Sequence, residues 1–320
     1  MILDAITHAG FRLGPVIAAR LRLMRKPAIV GLSAFGYVLF VWLMLYVPAQ
    51  PNFQSVVGFD CAAYWLADIF HPYNMPLGTF GSFTYSPAFA LASSPGHLLP
   101  FWLYFVVWDS FLIVLLVWMT RRLAFVWLLF LPVSLELFHG NVDILLAAVC
   151  VQGFEYPALW SIGILTKVTP GISLLWFVVR REWRSLAWAI GATAVITAVS
   201  FAIAPSAWFE WVRFLANSNA SGPQVNVGFE GIVPPLWLRL VSAAILIVWG
   251  ARTDRRWVLP VATAISMPVI WIITPAILVA IPRLRKRSLP AAGRTANRTE
   301  TSNVTEPLPG PGAAATTTTP

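Results

Sequence analysis

Apolar residues run through this chain in long stretches, and polar residues punctuate them. Runs at roughly 28–48, 100–120, 123–138, 142–153, 157–168, 171–180, 185–204, 235–251, 257–268 and 270–282 predict ten helices. Crossing a bilayer core takes about 20 apolar residues, and several of these runs are shorter. A helix that stops inside a membrane is tolerated only where it is buried in protein or lines a water-filled cavity. The short runs therefore predict a recess rather than a plain bundle. Two further segments lie between the first two runs. "VGFDCAAYWLADIF" (57–70) reads as a short amphipathic helix beginning at Asp60 and lying flat at the interface. "TYSPAFALASSPGHLLP" (84–100) reads as a surface helix with proline breaks.

Composition turns this pattern into a membrane protein. Hydrophobic residues make up 58% of the 320 and charged residues only 11%, with a mean hydropathy of +0.73. A soluble domain of this size could not hide that much apolar surface. Sixteen tryptophans supply interfacial anchors. The net charge of +9 does not form one patch, as nucleic-acid binding would require, but small clusters between apolar runs. Two cysteines, Cys61 and Cys150, are too few for a disulfide framework and lack metal-ligand spacing. The basic stretch "RLRLMRK" (20–26) precedes a run with no small-residue cleavage site at its end, so the first run is expected to stay as an anchor.

The basic residues also orient the chain. With the N-terminus in the cytoplasm and strict alternation, 19 of the 22 fall on the inner side: Arg12, Arg20, Arg22, Arg25, Lys26, Arg121, Arg122, Arg180, Arg181, Arg184, Arg252, Arg255, Arg256, Arg283, Arg285, Lys286, Arg287, Arg294 and Arg298. Only Lys167, Arg213 and Arg239 fall outside. The expected organisation is a cytoplasmic basic N-terminus (1–27), an all-α polytopic domain (28–283) with long outer loops at 49–99 and 205–234, and a disordered cytoplasmic tail rich in Pro, Thr, Ala and Gly (284–320). The tail sequons at Asn297 and Asn303 then face the cytoplasm and carry no meaning. Function normally sits on loops held by a rigid scaffold, which makes the outer face the working face of a plasma-membrane protein.

Polar residues gather at the outer ends of the helices. Asp60 follows the first run. Glu136, His139, Asn141 and Asp143 surround the break in "LELFHGNVDILL"; Lys167 sits in "LTKVTPG"; Asn226 and Glu230 lie in "GPQVNVGFEGIVPP". Ionisable groups at membrane depth are costly and so are candidates for function. Each also has a plain structural reading. Asp60 could be a solvated loop acid or a helix cap, Tyr64 an interfacial aromatic, His139 a cap on a helix C-terminus, and Lys167 a snorkelling lysine. Lys167 stands directly before a helix-breaking Thr-Pro-Gly, which favours anion binding. Asp109, in mid-run, reads as a structural partner facing the bundle interior. No nucleotide-binding loop, zinc signature or paired D-x-D occurs, so neither a cofactor nor a metal is expected.

Several stretches in order resemble glycosyltransferase family 87, the polyprenol-phosphate-mannose-dependent mannosyltransferases found mainly in actinobacteria. "GFDCAAYW" resembles the acid-plus-tyrosine opening of that family's first outer loop, and "FTYSPAFALASSPGHLLPFWL", with Tyr85, its F-x-Y-P-P-L-F stretch. "HGNVDILL" resembles a G-Q-x-N-L-L break, with Asn141-x-Asp143 where the family has Gln-x-Asn. "ILTKVTPGISLL" followed by "RREWR" resembles L-K-P-T-P-x-L-L and its basic loop, and "NVGFEG" resembles N-Q-S-x-x-G. "SMPVIWIITPAILVAIP" resembles a late S-P-x-x-W-x-H-H turn, with Ile273 and Thr274 in place of the histidine pair. The resemblance covers roughly residues 30–283.

The resemblance implies a GT-C fold and transfer of a mannosyl or other hexosyl group from a polyprenyl-phosphate sugar. The acceptor would be a lipid or cell-envelope glycan, of phosphatidylinositol mannoside or lipoglycan type, met in the bilayer. It implies Asp60 as general base, with Tyr64, Tyr85, His139, Asn141, Asp143, Lys167, Asn226 and Glu230 binding substrate. An inverting transfer to which only a monophosphate leaving group is lost needs one base and positive charge, not a metal. Two alternatives stand beside this reading. One is a catalytically inactive relative that binds a glycolipid, in line with the missing histidine pair. The other is a lipid or glycolipid transporter, which would show related halves and polar groups reachable from both sides; no internal repeat is visible.

Overall fold

A computed structural model describes residues 57–76, 78–220 and 233–287. The expected first span (28–48), the N-terminus (1–27), Asn226, Glu230, the sequons and the tail beyond Arg287 lie outside the described residues. Among those residues the chain is all helical. Its α-helices are α1 (Phe59–Leu66), α2 (Pro87–Ser93), α3 (Phe101–Thr120), α4 (Ala124–Leu128), α5 (Leu131–His139), α6 (Asp143–Gln152), α7 (Trp160–Thr166), α8 (Leu175–Val179), α9 (Trp183–Ile203), α10 (Pro205–Ala220), α11 (Leu236–Arg252), α12 (Val258–Ser266) and α13 (Ile281–Arg287). Five 3₁₀ segments, at 94–98, 121–123, 157–159, 169–174 and 274–280, join them.

By length and composition, Phe101–Leu128 and Trp183–Ile203 can each cross a membrane. The bent pair α5 and α6, which turn through 111° at their junction, brings the candidates to three if the pair is one broken span. The outward faces of α3 and α9 are apolar: Trp102, Val107, Val114, Trp188, Val195 and Val199 are all more than half exposed. Such faces suit a bilayer, in which lipid takes the place of water as solvent.

The centre of the bundle is α6. Between its polar ends, Asp143 and Gln152, it is apolar all round, and every residue from Val142 to Val151 except Leu145 is buried. Around it pack α3, α7, α12 and the 274–280 segment, with Leu112, Leu116, Trp160 and Trp176 as fully buried neighbours. On the far side α11 and α12 pair closely.

Five expectations need correction. The 123–138 run is two helices, α4 and α5, because Pro132 can start a helix but not continue one. The 205–234 segment is not a plain loop. Its first half is α10, whose Trp208, Trp211 and Phe214 give it an apolar side while Glu210 and Arg213 keep it too polar to span. The 270–282 run is irregular through Ile273, and 3₁₀ turns begin only at Thr274. Helical backbone in α13 continues to Arg287, past the expected start of the tail at 284. The first outer segment also differs in detail. α1 ends at Leu66 because Asp68 Oδ1 accepts the Phe70 N–H at 2.8 Å in a local turn. It does not rest on the bundle but sinks into it, with Phe59, Cys61, Ala62, Ala63 and Tyr64 buried.

Candidate active site at the α5–α6 break

The break between α5 and α6 is built by glycine. Gly140 has φ +67°, and a Cβ there would come within 2.8 Å of the Cys61 Cβ, so both conformation and space demand glycine. Its N–H and that of Asn141 both return to the Glu136 carbonyl, at 2.8 and 3.1 Å, closing the helix. The Gly140 carbonyl accepts the Trp108 indole N–H at 2.7 Å, which fixes the break to α3. Gly58, at φ +72° before α1, donates its N–H to the Phe138 carbonyl at 2.8 Å. The start of α1 is thereby tied to the end of α5, and Asp60 is carried to the break.

Three separate stretches of chain meet in one hydrogen-bond chain. Asn141 Nδ2 donates to Asp60 Oδ2 at 2.7 Å. Asn141 Oδ1 accepts from Lys167 Nζ at 3.3 Å and from the Val142 N–H at 2.6 Å. Lys167 Nζ donates in turn to Asp143 Oδ1 at 2.6 Å. The amide is the hinge of the chain: its donor faces the acid, its acceptor the ammonium. Asp60 is half-buried, Asn141 and Asp143 are buried, and the Lys167 side chain is 18% exposed. Lys167 sits in extended backbone between α7 and the 169–174 turns, so its side chain leaves the chain where no helix blocks it. Two of the three ammonium donors are used within the protein. Burial pushes the Asp60 carboxyl above its usual range, against the opposing pull of the His139 charge, the Asn141 hydrogen bond and Lys167.

The other expected residues fall around this chain. His139 is half-buried at the end of α5, its ring edge-on to Phe138 with centroids 5.2 Å apart. Tyr64 and Tyr85 lie in the core behind Asp60. Their hydroxyls face each other at 3.1 Å, and the Tyr64 ring packs on Tyr85, Phe89 and Trp108. Asp109 is half-buried on α3, and its Oδ1 has no hydrogen-bond partner among the described residues. The segment around Ile273 is apolar. Ile273 packs with Leu131 and Leu135 of α5, and Thr274 Oγ1 accepts the Trp271 N–H at 3.0 Å.

Two contributions escape a reading of the sequence. Ser86, buried, donates its hydroxyl to the Leu165 carbonyl at 2.5 Å and so fixes α2 to the end of α7, two residues before Lys167. Arg239, buried with no acid on it among the described residues, binds the carbonyls of Pro234, Ile265, Met267 and Pro268. Nothing in the local pattern marks Ser86, and Arg239 stands out only as one of three basic residues off the inner side; most of the carbonyls they bind come from distant segments. No group of three or more His, Cys, Asp or Glu among the described residues could hold a metal ion.

The family model of glycosyltransferase family 87 matches residues 83–299. The chain belongs to glycosyltransferase family 87. Over 99 residues it is 29% identical to a polyprenol-phosphate-mannose-dependent alpha-(1-2)-phosphatidylinositol mannoside mannosyltransferase of Mycobacterium tuberculosis. That alignment covers 28% of this chain and 23% of the relative, less than a quarter of its length. No solved structure matches. Family membership and the apolar helices together support a membrane-associated glycosyltransferase. The family match includes Tyr85, His139, Asn141, Asp143 and Lys167, whereas Asp60 and Tyr64 precede it.

Proposed function

We propose that this protein transfers a mannosyl or related hexosyl group from a polyprenyl-phosphate donor to a lipid-linked or cell-envelope glycan acceptor at the outer face of the plasma membrane, with inversion. The observation that carries the reading is the Asp60–Asn141–Lys167 chain, which sets a carboxylate and an ammonium on opposite sides of one amide. Asp60 takes the proton of the acceptor hydroxyl while the acceptor oxygen bonds to the anomeric carbon and the bond from that carbon to the phosphate oxygen breaks. Asn141 holds the carboxylate oxygen in place for that step. Lys167 offers its remaining N–H and its charge to the departing phosphate.

Replacing Asp60 by Asn keeps the size and the bond to Asn141 but cannot take a proton. Asp60→Asn is expected to lower turnover by about 10²–10⁴ with donor binding near normal. The assay is transfer of label from polyprenyl-phosphate-mannose in purified membranes. Wild-type turnover in Asp60→Asn would remove Asp60 from the chemistry. The reaction needs the carboxylate, so activity is lost as pH falls through the raised Asp60 pKa. The acid limb is therefore expected above the ordinary value of 3.8.

A second reading, a glycolipid-binding relative without activity, draws on the apolar packing of Ile273 where the resemblance has a histidine. Donor binding by wild-type protein with no transfer to any envelope acceptor would favour it.

A further inference from the structure

The α5–α6 break buries two carboxyls, each with one oxygen left over. Glu136 and Asp143 are both fully buried. Glu136 Oε1 accepts the Ile144 N–H at 3.1 Å, and Asp143 Oδ1 accepts from Lys167. Glu136 Oε2 and Asp143 Oδ2 have no hydrogen-bond partner among the described residues. Asp143 directly precedes Ile144, whose amide Glu136 holds, and of the charges around Glu136 it acts on it most strongly. The charges of Asp143 on α6, Lys167 beyond α7 and Asp60 on α1 act on Glu136, Glu136 acts on the paired Tyr64 and Tyr85, and His139 follows three residues on along the same helix. Lys167 is the cation that acts on Glu136, and its short bond goes to Asp143. Two ionised carboxyls here would leave a buried anion uncompensated, which protein interiors avoid. One proton between the two spare oxygens satisfies both at once, as in other close carboxyl pairs.

We propose that Glu136 is a positioning residue, kept as the neutral acid, that donates its Oε2–H to Asp143 Oδ2 and so fixes the α5–α6 break on which Asn141 meets Asp60 and Lys167. The arrangement leaves Asp143 to Lys167 and adds no further negative charge beside Asp60. This deepens the reading of Asp60 as the base and rests on it for the kinetic part of the test.

Glu136→Ala removes both the hold on Ile144 and the donor. It is expected to lower turnover about tenfold, the loss of one hydrogen bond to a charged group. Glu136→Gln restores an acceptor for Ile144 and an N–H for Asp143, and most of the turnover is expected to return. The acid limb of the pH–rate profile should not move in Glu136→Gln, since a neutral amide replaces a neutral acid. A Gln variant as poor as the Ala variant, or an acid limb shifted to lower pH by loss of a negative charge near Asp60, would overturn the proposal. A separate measurement needs no turnover. Infrared spectra of the wild-type protein should show a protonated-carboxyl C=O band, sensitive to deuterium, that is missing in Glu136→Gln. Absence of that band in the wild type defeats the proposal even in an active enzyme. Its presence in a protein that transfers no sugar leaves the neutral Glu136 standing and defeats the proposed function alone.

Discussion

Lys167 brings its charge into the protein beside Asp143 at 2.6 Å, and the acid is fully buried. Removing one partner of such a pair costs about 3–5 kcal/mol, because the other charge is left unpaired. Lys167→Ala is therefore expected to reduce stability as well as donor use. The Lys167→Met/Asp143→Leu double variant should regain much of the thermal midpoint, since no charge is stranded, but not the transfer activity. Additive stability losses in that cycle would show that the two side chains do not act as a pair. At this scale the sequence was informative about residue types and less so about partners. Asp60, Asn141, Asp143 and Lys167 stand out because polar groups are rare in apolar runs. That Asn141 would bridge an acid 81 residues earlier and an ammonium 26 residues later could not be read from spacing. Tyr64 shows the opposite limit: its place one turn after Asp60 was visible, yet the pairing of its hydroxyl with Tyr85 follows from packing of α1 against the segment before α2.

Among the elements, α10 changes the picture drawn from the sequence most. It leans on the segment between α1 and α2 through the stacked Tyr73 and Phe214 rings, 5.2 Å apart, and through His71 Nδ1 and Glu210 Oε1 at 2.8 Å. The hydrogen bond to Glu210 and its charge raise the His71 pKa above 6.5. A raised histidine pKa gives a contribution that is complete below the unfolded value and is lost as pH rises through the folded one. Amide protection of α10, corrected for intrinsic exchange, is expected to weaken as pH rises past that point. His71→Gln should remove the dependence, and an unchanged profile in that variant would assign it to another group. The long helices α3, α9 and α11 were legible to within two residues, because long apolar periodicity outweighs end effects. The pieces that were not legible are those where proline or irregular backbone divides an apolar run, as at Pro132 and before Thr274. There hydropathy alone does not distinguish one helix from two.

For the whole molecule, orientation rests on charge. The turns at Arg121, Arg181 and Asp254, all with positive φ, join helices at the end that the basic residues assign to the cytoplasm. Met75, 42% exposed, lies in the segment assigned to the outside. Native Cys61 and Cys150 are fully buried and should stay silent to a thiol reagent. Met75→Cys is expected to label in intact cells and Asp254→Cys only after lysis; the reverse pattern would invert the proposed topology and move the site to the cytoplasmic side. The ion pair in the site also gives the making of this protein a direction in time. Asp143 leaves the ribosome 24 residues ahead of Lys167. A lone lysine entering apolar surroundings is expensive, whereas one that arrives beside an acid already in place enters as half of a neutral couple. The exposed interval in synthesis is then the short stretch between the two, when the acid is in place and its cation has yet to emerge.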